Sequence, residues 1–159
     1  MTPRPAHLAR LGLFALAAAS LAACSMGGPA SPASLTPALS ARMDQPGARL
    51  DPREAVALVN AYRATNGLPP LASDPGLDGT AQALANQYAQ TGTAPARPQA
   101  LTQMKLSAGY ATFAETFSGW RNNAADAAGL LAQAGKAGVA VANNPASAYG
   151  VYWVLVLGN

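Results

Sequence analysis

The feature that most limits how this chain can fold is an unbroken apolar run near its end, Val151-Tyr152-Trp153-Val154-Leu155-Val156-Leu157. Seven residues are too few to cross a bilayer as a helix. Their β-branched and aromatic side chains instead favour a strand. In a strand, Val151, Trp153, Leu155 and Leu157 share one face and Tyr152, Val154 and Val156 the other. Both faces are apolar, so the strand has to be covered above and below. Each large side chain buried there contributes roughly 1.5–3 kcal/mol. The sequence therefore predicts a sheet with this strand inside it and other elements packed on both faces.

The opposite end reads as an address. Arg4, His7 and Arg10 precede an apolar stretch from Leu11 to Ala23 that closes in small residues, the pattern of a secretory signal. Its last residues, Leu21-Ala22-Ala23-Cys24, resemble a bacterial lipobox: a branched apolar residue, two small residues, then cysteine. The resemblance implies cleavage before Cys24, lipidation of its thiol and acylation of the new amino terminus. Several acyl chains make a stable anchor where one does not. Residues 1–23 are thus expected to be a lipoprotein signal peptide. Residues 24–50, rich in Pro, Gly and Ser, are expected to be a flexible linker, and residues 51–159 a single domain. Ser25, rather than aspartate, follows the cysteine. In a Gram-negative cell that favours the outer membrane, facing the periplasm or the surface.

This processing narrows the chemistry. His7 is the only histidine and Cys24 the only cysteine. A mature chain beginning at Cys24 would have no histidine and no disulfide. Its only thiol would carry the lipid. Histidine triads, His/Cys zinc sites and redox dithiols are excluded on that basis, and no cofactor or metal is expected. From Asp51 onward the six bases (Arg53, Arg63, Arg97, Lys105, Arg121, Lys136) balance six acids (Asp51, Glu54, Asp74, Asp78, Glu115, Asp126). Without a basic excess, nucleic acid is not an expected partner.

Within the domain, Asp51-Pro52-Arg53-Glu54 carries an N-cap, a proline at the first helical position and a glutamate three residues after the cap. Ala55, Leu58, Val59 and Tyr62 then form an apolar stripe, predicting a first helix over about 52–66. Asp74-Pro75 starts a second helix that Gly92 ends. Met104 to Leu106 reads as a short helical turn. The alternation from Tyr110 to Phe117 reads as a short strand. A third helix, capped by Asn122 or Asn123, is expected over 124–134. Gly138 to Ala142 forms a strand, and the Asn143–Ser147 turn returns the chain into the last strand as an antiparallel hairpin. The fold class is α+β.

Four segments in order resemble the CAP superfamily, named for cysteine-rich secretory, antigen-five and pathogenesis-related proteins. They are Ala57-Leu58-Val59-Asn60-Ala61-Tyr62-Arg63 with Gly67-Leu68-Pro69-Pro70-Leu71, then Asp74…Leu77…Ala81-Gln82-Ala83…Ala85, then Gly138-Val139-Ala140-Val141, and last Tyr152-Trp153…Gly158. The resemblance spans about Asp51 to Gly158. It implies an α-β-α sandwich with a small antiparallel sheet covered by helices. It also points to a cleft where relatives hold a divalent metal between two histidines and two acids. Here Glu115 matches the first acid, the second falls near Gly129 with Asp126 one turn earlier, and both histidine segments are missing. A metal site of that kind is not expected.

Glu115 is the residue to follow. It is either a cleft carboxylate that orients a ligand or a strand residue bonded to backbone at the cleft wall. Tyr110, Phe113 and Trp120 are candidates for lining the same cleft or for core packing, and Asp126 for a solvated residue in the first turn of a helix. Ser107 and Ser118 lie near Lys105 or Glu115 in sequence, which leaves a Ser–Lys pair to be tested. The expectation is a non-catalytic, lipid-anchored envelope domain whose partner is an envelope protein, a cell-wall component or a lipid. The alternatives are a periplasmic carrier of a small apolar, lipid- or sterol-like ligand and, behind it, a hydrolase using Glu115 or a Ser–Lys pair.

Overall fold

The structure, a computed structural model, describes residues 36–159. The predicted signal peptide, the predicted lipidation site Cys24 and the first part of the predicted linker lie outside the described residues. Among those described, the elements in order are α1 (Pro37–Ser40), α2 (Pro52–Thr65), β1 (Ala72–Ser73), α3 (Pro75–Thr91), β2 (Gln103–Ala108), α4 (Phe113–Asn122), α5 (Ala124–Leu130), β3 (Lys136–Asn144) and β4 (Gly150–Gly158). No described helix is long and apolar enough to cross a membrane.

The end of the predicted linker is folded onto the domain. Leu39 and Met43 are buried, the Met43 amide donates to the Ala111 carbonyl at 2.8 Å, and Asn143 Nδ2 donates to the Met43 carbonyl at 2.9 Å. Leu39 and Met43, with Ala41, Ala48 and Leu50 packed beside them, dock this stretch against the core.

The four strands lie in the order β1-β3-β4-β2. β4 pairs antiparallel with β3 on one side and β2 on the other, while β1 joins β3 in parallel, so the sheet is mixed rather than purely antiparallel. β4 is the buried centre, and its faces divide as the alternation predicts. Val151, Trp153, Leu155 and Leu157 join the core under α2, α4 and α5. Tyr152, Val154 and Val156 join the core under α3. The result is a helix–sheet–helix sandwich.

Three local predictions are corrected. Tyr110 to Phe117 is not a strand, because α4 begins at Phe113. Thr112 and Glu115 form a reciprocal capping box there, and Phe113, Thr116, Phe117 and Trp120 supply a buried helical stripe. Phe113 and Phe117 are four residues apart, a spacing that fits both a period of two and a helix. Met104 to Leu106 is not a helical turn but part of β2, which alternates. Met104, Leu106 and Ala108 pack toward α3, and Lys105 faces the other way toward α5. The third predicted helix is also shorter, ending at Leu130.

Polar side chains fasten the layers. Asn60 of α2 grips the Leu71 backbone twice, by Nδ2 to the carbonyl (2.9 Å) and by Oδ1 from the amide (2.8 Å). Arg63, one turn later, is fully buried and donates to the carbonyls of Pro69, Leu130 and Ala132. Burial lowers the pKa of its guanidinium. The Asn60…Arg63 pair thus ties α2 to the connector that follows it and to the end of α5.

On the other layer, α3 completes an edge that β1 leaves open. β1 covers only the first two residues of β3. Beyond it, Asp78 Oδ1 accepts the Val139 amide (3.0 Å) and Gln82 Nε2 donates to the Val141 carbonyl (3.0 Å). At the far edge, the Gln103 side chain accepts the Met104 amide and the Trp120 indole donates to the Leu106 carbonyl (3.0 Å). These bonds blunt β2 against pairing with another strand.

Candidate functional site

The segment that leaves β2 turns at Gly109, whose φ of +92° favours glycine. It then presents Tyr110. Trp153 Nε1 donates to the Tyr110 carbonyl at 2.9 Å, fixing the backbone. The tyrosine ring lies over Gly119 of α4 so closely that a Cβ there would stand 3.1 Å from it. Tyr110 therefore remains 43% exposed but held in place. Between it and α4 is an open groove of about 460 Å³ lined by Tyr110, Glu115, Ser118, Gly119, Asn122 and Asn123.

Glu115 sits on the rim of this groove, and its carboxylate has a structural role. Oε2 accepts both the amide and the hydroxyl of Thr112, each at 3.0 Å, while the Glu115 amide donates back to Thr112 Oγ1 at 3.2 Å. The side chain closes the N-terminus of α4. The structure thus brings Tyr110 and Glu115 together. It removes Phe113 and Trp120 from the site, since both are buried in the core. Phe113 packs against Phe117, Trp120 and Trp153.

Ser118, Asn122 and Asn123 join the groove because α4 is a helix. Residues three and four apart on it share a face, which a strand reading could not reveal. Asn122 Nδ2 is 3.5 Å from Ser118 Oγ, and Asn123 Oδ1 accepts the amides of Ala125 and Asp126 as the cap of α5. Lys105 does not reach a serine. It crosses from β2 to α5, where Nζ meets Asp126 Oδ1 at 3.0 Å and the Ala125 carbonyl at 3.3 Å. Asp126 is therefore the partner of a mostly buried lysine rather than a free first-turn acid.

The sequence model of the cysteine-rich secretory protein family, CAP, matches residues 56–157, more than half of the chain. The chain belongs to this family. Among solved structures, an outer surface protein from Borrelia burgdorferi shares the fold with a TM-score of 0.54 at 15% identity, over 67% of this chain and 91% of its own. MpPR-1i does so with a TM-score of 0.54 at 21% identity, over 68% of this chain and 87% of its own. No curated protein matches.

The residues present do not fit the metal cleft of CAP proteins. Among the described residues no group of three or more His, Cys, Asp or Glu could hold an ion. The one matching acid, Glu115, is engaged by Thr112. At Gly129, near the second acid position, a Cβ would collide with the stem of Lys105. In this CAP domain a lysine ammonium stands in that neighbourhood, and its charge repels a cation.

Proposed function

We propose that this chain is a lipid-anchored CAP domain of the bacterial envelope that binds a partner or ligand without transforming it. The carrying observation is the groove beside α4. Its one carboxylate caps a helix, its serine has an amide rather than a base beside it, and its wall includes a fixed, exposed tyrosine. Nucleophilic catalysis needs a nucleophile and a base within hydrogen-bond reach, whereas binding sites commonly combine an aromatic wall with a few placed polar groups. The envelope address rests on the Cys24 motif. It is compatible with a fold neighbour that is itself an outer surface protein.

Two experiments test this reading. Globomycin treatment should accumulate the unprocessed precursor, and Cys24→Ala should leave the membrane fraction. A Cys24→Ala protein that stays fully membrane-bound overturns the anchor. Turnover of any substrate that is lost in Glu115→Gln or Lys105→Ala overturns the non-catalytic reading.

A carrier of a small apolar ligand is the second reading. One observation favours it: an open, mainly apolar groove of about 210 Å³ between α2 and α4, with Leu58, Ala61, Tyr62 and Phe117 in its wall. Sites that bury a whole small molecule usually exceed about 300 Å³, so this groove suits a ligand fragment. Native mass spectrometry of the full chain, in a detergent that dissociates on activation, should show no lipid beyond that attached covalently at Cys24. A stoichiometric adduct would favour the carrier.

A further inference from the structure

A second depression lies away from the α4 groove, between the last turn of α3 and the β3–β4 hairpin. It holds about 320 Å³, and its wall includes Thr91, Asn144, Ser147, Tyr149 and Tyr152. A hollow of about 190 Å³ adjoins it, sharing Gln90 and Asn144. Among the described residues, no charged side chain lines either one.

Three features define what could occupy this groove. Tyr149 is 57% exposed on the hairpin, with its ring edge-to-face against Tyr152 at 6.3 Å. Tyr152 is completely buried, yet its hydroxyl has no hydrogen-bond partner among the described residues. An unpaired buried hydroxyl is uncommon in a folded protein and calls for an explanation. The rest of the wall combines the amides of Gln90 and Asn144 and the hydroxyls of Thr91 and Ser147 with Gly92 and three alanines.

We propose that this groove binds a neutral saccharide chain, with Tyr149 as the stacking platform and the Tyr152 hydroxyl as a hydrogen-bond partner of a sugar oxygen once the Tyr149 ring shifts. The inference rests on reading the chain as a binding module and names the ligand class. A sugar ring offers a C–H face to an aromatic ring and a rim of hydroxyls to amides, and this groove supplies both. An anion is disfavoured because no cation lines the groove and α3 presents its C-terminal, negative end there. An organic cation is disfavoured because no carboxylate lines the groove among the described residues. An apolar ligand would leave the buried Tyr152 hydroxyl unpaired.

The test is isothermal titration calorimetry of the full chain, held in a non-glycosidic detergent. Chitotetraose represents a cell-wall type of backbone and maltotetraose a storage glucan. At least one should bind. Tyr149→Ala should weaken that binding about tenfold. Tyr152→Phe should weaken it about fivefold without lowering the melting temperature, because the hydroxyl it removes has no partner to lose in the free protein. The proposal is overturned if neither sugar binds, if both variants bind as the wild type does, or if Tyr152→Phe lowers the melting temperature. If a sugar binds and only Tyr110→Ala weakens it, the ligand sits beside α4. This site is then wrong while the binding-module reading stands, and that reading is decided separately by the Cys24→Ala fractionation and the turnover tests.

Discussion

On one face of β4, Val151, Trp153, Leu155 and Leu157 meet three helices and a group of aromatic rings. On the other, Tyr152, Val154 and Val156 meet α3 through Ala81, Ala85 and Ala89. The first face is filled by side-chain volume, with Phe113 at the junction of Phe117, Trp120 and Trp153. The second is filled by bringing backbones together. A Cβ on Gly138 of β3 would collide with the backbone of Leu77 and Asp78 in α3. The two faces should therefore fail in opposite ways, the aromatic face when side chains are removed and the alanine face when atoms are added.

The largest expected effect is on the aromatic face. Phe113→Ala removes a fully buried ring and should cost about 3–5 kcal/mol, read as the shift in urea midpoint at constant slope. A loss below about 1 kcal/mol would mean that this face can collapse around the gap. On the alanine face, Gly138→Ala adds a single methyl group and should still cost about 1–3 kcal/mol, because the obstacle is helix backbone rather than a movable side chain. A silent Gly138→Ala would remove the contrast between the faces.

Much of this architecture is legible in the sequence because it rests on local rules. The two-sided burial of β4 follows from its unbroken apolar run. The starts of α2 and α3 follow from Asp-Pro pairs, in which Asp51 and Asp74 do accept the capping amides. The start of α4 is legible too, as the capping box Thr112-Phe113-Ala114-Glu115, but a period-two pattern in Phe113 and Phe117 hides it. Groove partners such as Ser118 and Asn122 are lost with it. Other features depend on contacts distant in sequence. Lys105 pairs with Asp126 across 21 positions, and Asp78 serves the β3 edge across 61. No local pattern marks either residue as engaged.

The Glu115 contacts lead to a smaller effect that sharpens the account of the α4 groove. If Glu115 acts chiefly as the reciprocal cap of Thr112, Glu115→Ala should cost about 1 kcal/mol of stability. Glu115→Gln should be close to neutral, since glutamine can also fill a capping box. Thermal unfolding of the two variants side by side checks this. Equal losses would show that the charge, rather than the hydrogen-bonding oxygen, matters at this position.

The smallest effect concerns the bond by which α3 closes the alanine face. Burial raises the pKa of Asp78. The Val139 amide opposes this, the charges of Asp74 and Asp51 add to it, and Arg53 opposes it. A carboxyl whose pKa is raised on folding favours the protonated form. Its contribution to stability is full below the unfolded value of about 4 and is lost as the pH rises through the folded value. Asp78→Asn keeps an oxygen for the Val139 amide and cannot ionise. The variant and the wild type should therefore differ little in their pH trend below about pH 4. Above it the variant should gain relative to the wild type, levelling off once Asp78 is ionised in the folded state. Urea midpoints of both proteins across this range, subtracted at each pH, isolate this carboxyl from the others. A difference that moves the opposite way would mean that the ionised Asp78 is preferred by its contact with Val139. The close approach of α3 to β3 would then depend on a charged edge rather than on a desolvated one.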